Sequence, residues 1–184
     1  MEAFFGSTLA VAIAEIGDKT QLLALLLVAR YHRPWTIAAG ILVATLVNHA
    51  VSALLGVWLA DVIPSQWMSW LIAASFVAVA IWVLIPDKAD DNISRWDKYG
   101  PFVATCVLFF IAEIGDKTQV ATVILAAKYD ALIAVILGTT LGMLLANLPV
   151  LFTGRWLLCR IPLNVVHWCA FVLFIGFAVI TVLR

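Results

Sequence analysis

Nine residues, Ile13-Ala14-Glu15-Ile16-Gly17-Asp18-Lys19-Thr20-Gln21, return unchanged as Ile111-Ala112-Glu113-Ile114-Gly115-Asp116-Lys117-Thr118-Gln119. Each copy sets two carboxylates and a lysine in the middle of a hydrophobic segment. At the centre of a membrane helix such a group costs about 2.5–3.5 kcal/mol on the translocon insertion scale. Four acids and two lysines left unpaired would cost on the order of 10 kcal/mol or more. Something must offset that cost, and the default explanation is a site.

The segments around the motif read as membrane spans. The chain is 65% hydrophobic and 12% charged, whereas an average soluble domain is about 25% charged. A span needs roughly 20 apolar residues, and breaks at charged or Pro-containing stretches leave six candidates. They lie near residues 3–28, 35–60, 67–85, 101–127, 131–154 and 163–183. The first lacks a basic leader and is too long for a signal peptide, so it reads as the first span of the mature protein. No basic tail or basic-aromatic patch supports nucleic-acid binding. Cys106, Cys159 and Cys169 are odd in number and lack CxxC spacing, so they read as small buried apolar side chains.

The repeat reaches far beyond the nine residues. At the same offset of 98, Tyr31 pairs with Tyr129, Gly40 with Gly138, Gly56 with Gly154, Trp58 with Trp156, Pro64 with Pro162 and Trp70 with Trp168. Residues 1–85 therefore form a first three-helix repeat and 101–184 a second, joined by the polar loop 86–100. Three spans per half is an odd number, so the second half enters the membrane from the opposite side. The expected fold is an all-α membrane protein of six transmembrane helices in two inverted three-helix repeats, an architecture common among secondary transporters.

Basic residues set the orientation. Arg30, Arg33, Lys88, Arg95, Lys98, Arg155 and Arg160 fall on one side, against Lys128 and Arg184 on the other. The positive-inside rule makes the richer side cytoplasmic, with both termini outside the cytoplasm. Trp35, Trp58, Trp67, Trp70 and Trp156 sit near span ends, as an interfacial aromatic belt does.

On a continuous helix, Glu15 and Asp18 share a face and Lys19 lies near Glu15 at i+4. Gly17 then falls opposite, where another helix can approach closely. Inversion brings the acidic faces of the two copies together near the midplane. The expected cation ligands are Glu15, Asp18, Glu113 and Asp116. Thr20, Gln21, Thr118, Gln119, Asn48 and Asn147 are candidate path residues, and Lys19 and Lys117 candidate charge partners. Carboxylate, carbonyl and water oxygens suit magnesium, calcium or manganese, and the motif has no Cys or His for zinc or copper. Crowded carboxylates cannot all stay charged without a counter-ion, so an empty site takes up protons and an arriving cation releases them. The lysines could pair with the acids in the empty state or gate the site. A purely structural alternative makes Glu15–Lys19 and Glu113–Lys117 buried i,i+4 ion pairs, but it leaves Asp18 and Asp116 uncompensated.

E-x-G-D-K-T, present twice in a short six-span chain, resembles the signature of the Gdt-type cation/proton exchanger family. That family includes bacterial manganese exporters and Golgi calcium/manganese relatives. The resemblance covers nearly the whole chain, and both copies match the signature. It implies that Glu15, Asp18, Glu113 and Asp116 hold the cation. It further implies export of manganese, with calcium second, across a bacterial inner membrane in exchange for protons, with no cofactor.

Other residues and other functions carry less. His49, paired at the repeat offset with Asn147, reads first as a packing histidine. Pro149 interrupts the fifth span as a kink or hinge. Asp87, Asp90, Asp91 and Asp97 mix with Lys88, Arg95 and Lys98 as a solvated connector. A passive divalent-cation channel and a small amino-acid exporter are the alternatives; buried, matched acids in inverted repeats favour alternating access over the channel. An amino-acid exporter would rely on broken helices more than on four clustered acids. An intramembrane protease can use paired carboxylates, but a lysine beside each aspartate suits that chemistry poorly, and no H-E-x-x-H motif is present. The chain is therefore not expected to be an enzyme.

Overall fold

The computed structural model describes residues 1–85, 96, 98–154 and 162–183, with the side chains of Ser65 and Gln66 left aside. The expectations for Lys88, Arg95, Arg155, Arg160, Arg184, Trp156, Cys159 and the acidic residues of the 86–100 loop fall outside the described residues. The described chain is all-helical. Its helices are α1 (Glu2–Glu15), α2 (Lys19–Tyr31), α3 (Pro34–Val62), α4 (Ser65–Val83), α5 (Gly100–Glu113), α6 (Lys117–Tyr129), α7 (Leu132–Thr153) and α8 (Leu163–Leu183). Each of α5 to α8 starts 98 residues after its counterpart among α1 to α4. Three of them, α3, α7 and α8, are long and apolar enough to cross a membrane.

Eight described helices replace the six expected because the motif breaks the first and fourth segments. After Glu15, Ile16 is extended, Gly17 takes φ +85° and Asp18 is extended again before α2 starts. Ile114, Gly115 at φ +73° and Asp116 repeat that path between α5 and α6. Only glycine visits positive φ without steric cost, so each motif glycine is a turn residue. This corrects the reading of Glu15, Asp18 and Lys19 as one helical face, and that of Gly17 as a mere packing gap.

The next turns also repeat. His32, at φ 54°, donates its N–H to the Val28 carbonyl at 2.9 Å and closes α2. Asp130, at φ 46°, donates to Ala126 at 3.2 Å and closes α6. Pro34 opens α3, a position where its missing N–H costs nothing. α7 runs through Pro149 as one helix, so the proline does not divide it.

The halves interlock. α5 lies along α3 in the same direction: Gly40 meets Thr105 and Phe102, and further along the Asn48 amide donates to the Phe110 carbonyl at 3.2 Å. α1 lies along α7 likewise, with Gly138 against Phe4 and Ser7, then Gly142 against Thr8 and Val11. One apolar core gathers Phe76, Phe174, Ile124 and Leu125, with the Phe76 and Phe174 rings stacked at 6.2 Å. A second gathers Ile37, Ile41, Phe109, Met143 and Leu27. Leu46, Leu54, Val172 and Val179 face outward, a placement that costs nothing against lipid. Trp35, Trp58, Trp67 and Trp70 are exposed too. Cys106 is half-buried and donates to the Gly40 carbonyl at 3.6 Å, but Cys169 is exposed rather than buried.

Close backbone approach without a side chain holds α3 to α6. A Cβ on Gly56 would overlap the Val123 carbonyl oxygen and meet the Ala126 methyl at 2.9 Å. Gly56→Val is therefore expected to cost about 3 kcal/mol by forcing the helices apart. Thermal unfolding in detergent checks this: the melting temperature falls clearly, whereas an unchanged melt would mean that the contact is slack.

Candidate cation site

The two breaks place four helix ends together. α1 and α5 finish at Glu15 and Glu113, and their carbonyl ends carry partial negative charge that favours a cation. α2 and α6 begin with Asp18 and Asp116 as N-caps, where the helix dipole favours an anion. Neither aspartate caps its own helix with its side chain. Each instead reaches a lysine of the other copy. Lys117 Nζ lies 2.7 Å from Asp18 Oδ1, and Lys19 Nζ donates to Asp116 Oδ1 at 3.1 Å. The ion pairs are thus crossed between the copies, not local i,i+4 pairs within each.

Three of the four expected ligands converge. Glu15, Glu113 and Asp116 each offer a carboxylate oxygen, and these atoms lie within 4.8 Å of one another. Two oxygens on opposite sides of a calcium-sized ion stand apart by roughly twice its 2.3–2.6 Å ligand distance, so that spacing suits one hard cation. The glutamates are fully buried, and Asp116 is 2% exposed. Glu15 Oε1, Glu113 Oε1 and Asp116 Oδ2 are buried and accept no hydrogen bond among the described residues. Buried acceptors left in that condition are costly unless something fills the gap. Asp18, the fourth expected ligand, is buried but stands outside this triad, held by Lys117.

The neutral residues of the motif brace it. Thr20 Oγ1 donates to Glu15 Oε2 at 2.6 Å, and Thr118 Oγ1 donates to Glu113 Oε2 at 3.1 Å. Each fixes one oxygen of its glutamate and leaves the other for the cluster. Gln21 Oε1 accepts the Gly17 N–H at 2.8 Å and Gln119 Oε1 accepts the Gly115 N–H at 2.7 Å, satisfying a donor that the break strands. Gln21 Nε2 also donates to the Ala146 carbonyl at 2.6 Å, tying the first motif to α7. Asn48 ties α3 to α5, as described above. Asn147 donates to Met143 O within its own helix, and its Oδ1 is buried with no hydrogen bond among the described residues. His49 is buried with neither ring nitrogen hydrogen-bonded among the described residues.

Identical sequences sit in unequal surroundings. Lys117 is 2% exposed at its side chain and Lys19 is 23% exposed. Leu163, at the start of α8, lies against the Gly17 turn, whereas Ile114 and Gly115 are exposed. What sequence reasoning missed is the break itself and the crossed lysines it permits. A signal existed. Asp18-Lys19-Thr20-Gln21 places an N-cap residue three before a glutamine, directly after a glycine, which is the pattern of a helix start.

Residues 3–91 and 101–184 match the sequence model of the family described as divalent cation/proton antiporter GDT1. A Vibrio cholerae protein named putative manganese exporter is 52% identical over 172 residues, covering 93% of this chain and 86% of its own length. A GDT1-like protein of Synechocystis is 27% identical over 205 residues, covering 98% and 97%. In Arabidopsis thaliana, GDT1-like protein 3 is 26% identical, covering 97% of this chain and 69% of its own length. No solved structure matches the chain.

Proposed function

The chain belongs to the divalent cation/proton antiporter GDT1 family, and we propose that it exports manganese, with calcium second, from the cytoplasm in exchange for protons. The observation that carries this reading is the buried meeting of Glu15, Glu113 and Asp116, one oxygen of each within 4.8 Å of the others. Hard oxygen donors without sulfur or nitrogen favour manganese, calcium or magnesium over zinc and copper. The name of the Vibrio cholerae relative supports manganese among these and export as the direction. An inward proton gradient drives such export when the same carboxylates carry protons one way and the cation the other. The cation is cargo, and the exchange needs no cofactor.

The metal ligands in this reading are Glu15, Glu113 and Asp116, with Asp18 held beside them by Lys117. Asn147, with its buried Oδ1, and Asn48 line the path, while Thr20, Thr118, Gln21 and Gln119 keep the broken turns in shape. Six spans, two of them broken, form inverted repeats over 1–85 and 101–184, with 86–100 on the cytoplasmic side and both termini outside the cytoplasm. Helix direction supports that inversion. α5 runs alongside α3 and α1 alongside α7, each in the same direction, so each half lays its first helix along the third helix of the other. A bacterial inner membrane is the matching location.

Proteoliposomes enclosing a pH dye test the proposal when challenged with manganese, calcium or magnesium. Added manganese is expected to move protons out of the vesicles, with calcium next. Manganese entry that moves no protons would indicate a channel, and no cation flux at all would return the amino-acid exporter to the front.

A further inference from the structure

The crossed ion pairs carry an inference that rests on the cation-site reading and goes beyond it. We propose that Lys19 is the internal competitor of the transported cation, its ammonium occupying Asp116 until the cation displaces it, whereas Lys117 is a fixed tie that holds Asp18 outside the cluster.

Asp116 serves two partners at once. It offers an oxygen to the triad with Glu15 and Glu113, and its Oδ1 accepts from Lys19 at 3.1 Å. A cation bound by the triad brings positive charge within a few ångströms of that ammonium, and like charges so close in a partly buried site repel strongly. Lys19 holds Oδ1 while Oδ2 faces the cluster, so ammonium and cation compete through charge at one carboxylate and each weakens the hold of the other. Lys19 can yield, because its side chain is 23% exposed and its long flexible stem can carry the ammonium away. Lys117 cannot: its side chain is 2% exposed, that of Asp18 is fully buried, and the two are 2.7 Å apart. Separating two charges buried this deeply carries a heavy desolvation cost. The same motif lysine therefore does different work in the two copies.

The competition has a sign that substitution reverses. Lys19→Gln removes the competing charge and is expected to tighten manganese binding about tenfold, the worth of one charge-assisted hydrogen bond at the competitor's expense. Lys19→Arg keeps the charge and adds a planar fork that grips a carboxylate with two bonds, so it is expected to weaken manganese binding severalfold. Purified full-length protein is titrated with manganese, and the free ion is followed by its paramagnetic resonance signal. Tighter binding in Lys19→Gln and weaker binding in Lys19→Arg support the proposal. If the glutamine variant does not fold, the arginine variant alone decides, since equal or tighter binding there overturns the proposal. Equal or weaker binding in a folded Lys19→Gln overturns it as well, while leaving the cation site standing. Absence of saturable binding of manganese and of calcium in the wild-type protein would remove the site, and this inference with it.

Discussion

Glu15→Gln is expected to lower cation-driven proton movement by a factor of about a hundred or more, since loss of a mere outer-shell partner already costs about 10–100-fold in metal affinity. The glutamine keeps the shape of the side chain and one oxygen, so Thr20 can still donate to it. What it loses is a charge at the meeting point of three carboxylates and a group able to carry a proton. Both halves of an exchange cycle fail together. The same holds for Glu113→Gln, because Glu113 stands in the same relation to Thr118. Proton release on adding manganese, measured in vesicles carrying equal amounts of each protein, checks this. Retained exchange in either variant would mean that the glutamates are structural.

The second large effect falls on stability. Lys117→Gln leaves Asp18, itself 1% exposed, without the ammonium 2.7 Å away. Removing one partner of a buried pair typically costs about 3–5 kcal/mol, because the other charge stays buried and uncompensated. Removing both is cheaper, so the double substitution Asp18→Asn with Lys117→Gln should recover much of the loss. Thermal melts of the two single variants and the double variant form the cycle. A melt of Lys117→Gln equal to that of the wild type would show that the tie contributes nothing, and would contradict its description as fixed.

Much of this molecule is legible in its residues, and the illegible part has a definite physical character. The offset of 98 that joins Gly40 to Gly138 also joins the starts of α1 and α5, of α2 and α6, of α3 and α7 and of α4 and α8. Hydropathy places those helices to within a few residues. It passes through Glu15 to Gln21 without a break, because the apolar runs on either side of the motif read as one span and a three-residue turn leaves no trace in them. The break is written in local chemistry instead, in a glycine at positive φ followed by an N-cap aspartate and a glutamine at the third position. The acids are legible as a cluster because membrane-buried charge demands a reason. Their partners are not, since Lys19 lies next to Asp18 in sequence and bonds to Asp116 in space. That exchange depends on how two broken helices face each other, which no spacing within one motif encodes. The inequality of the two copies is further still from the sequence, because identical residues cannot announce which of them is covered by Leu163.

Coupling of a divalent cation to protons at this cluster predicts uphill movement of the cation. Vesicles with an acidic interior are placed in neutral buffer with a trace of radioactive manganese. Manganese is expected to accumulate inside above its external concentration as protons leave, and to flow back when a protonophore collapses the gradient. Manganese that merely equilibrates, reaching the same internal level with or without the proton gradient, would mean that the cluster does not couple the cation to protons.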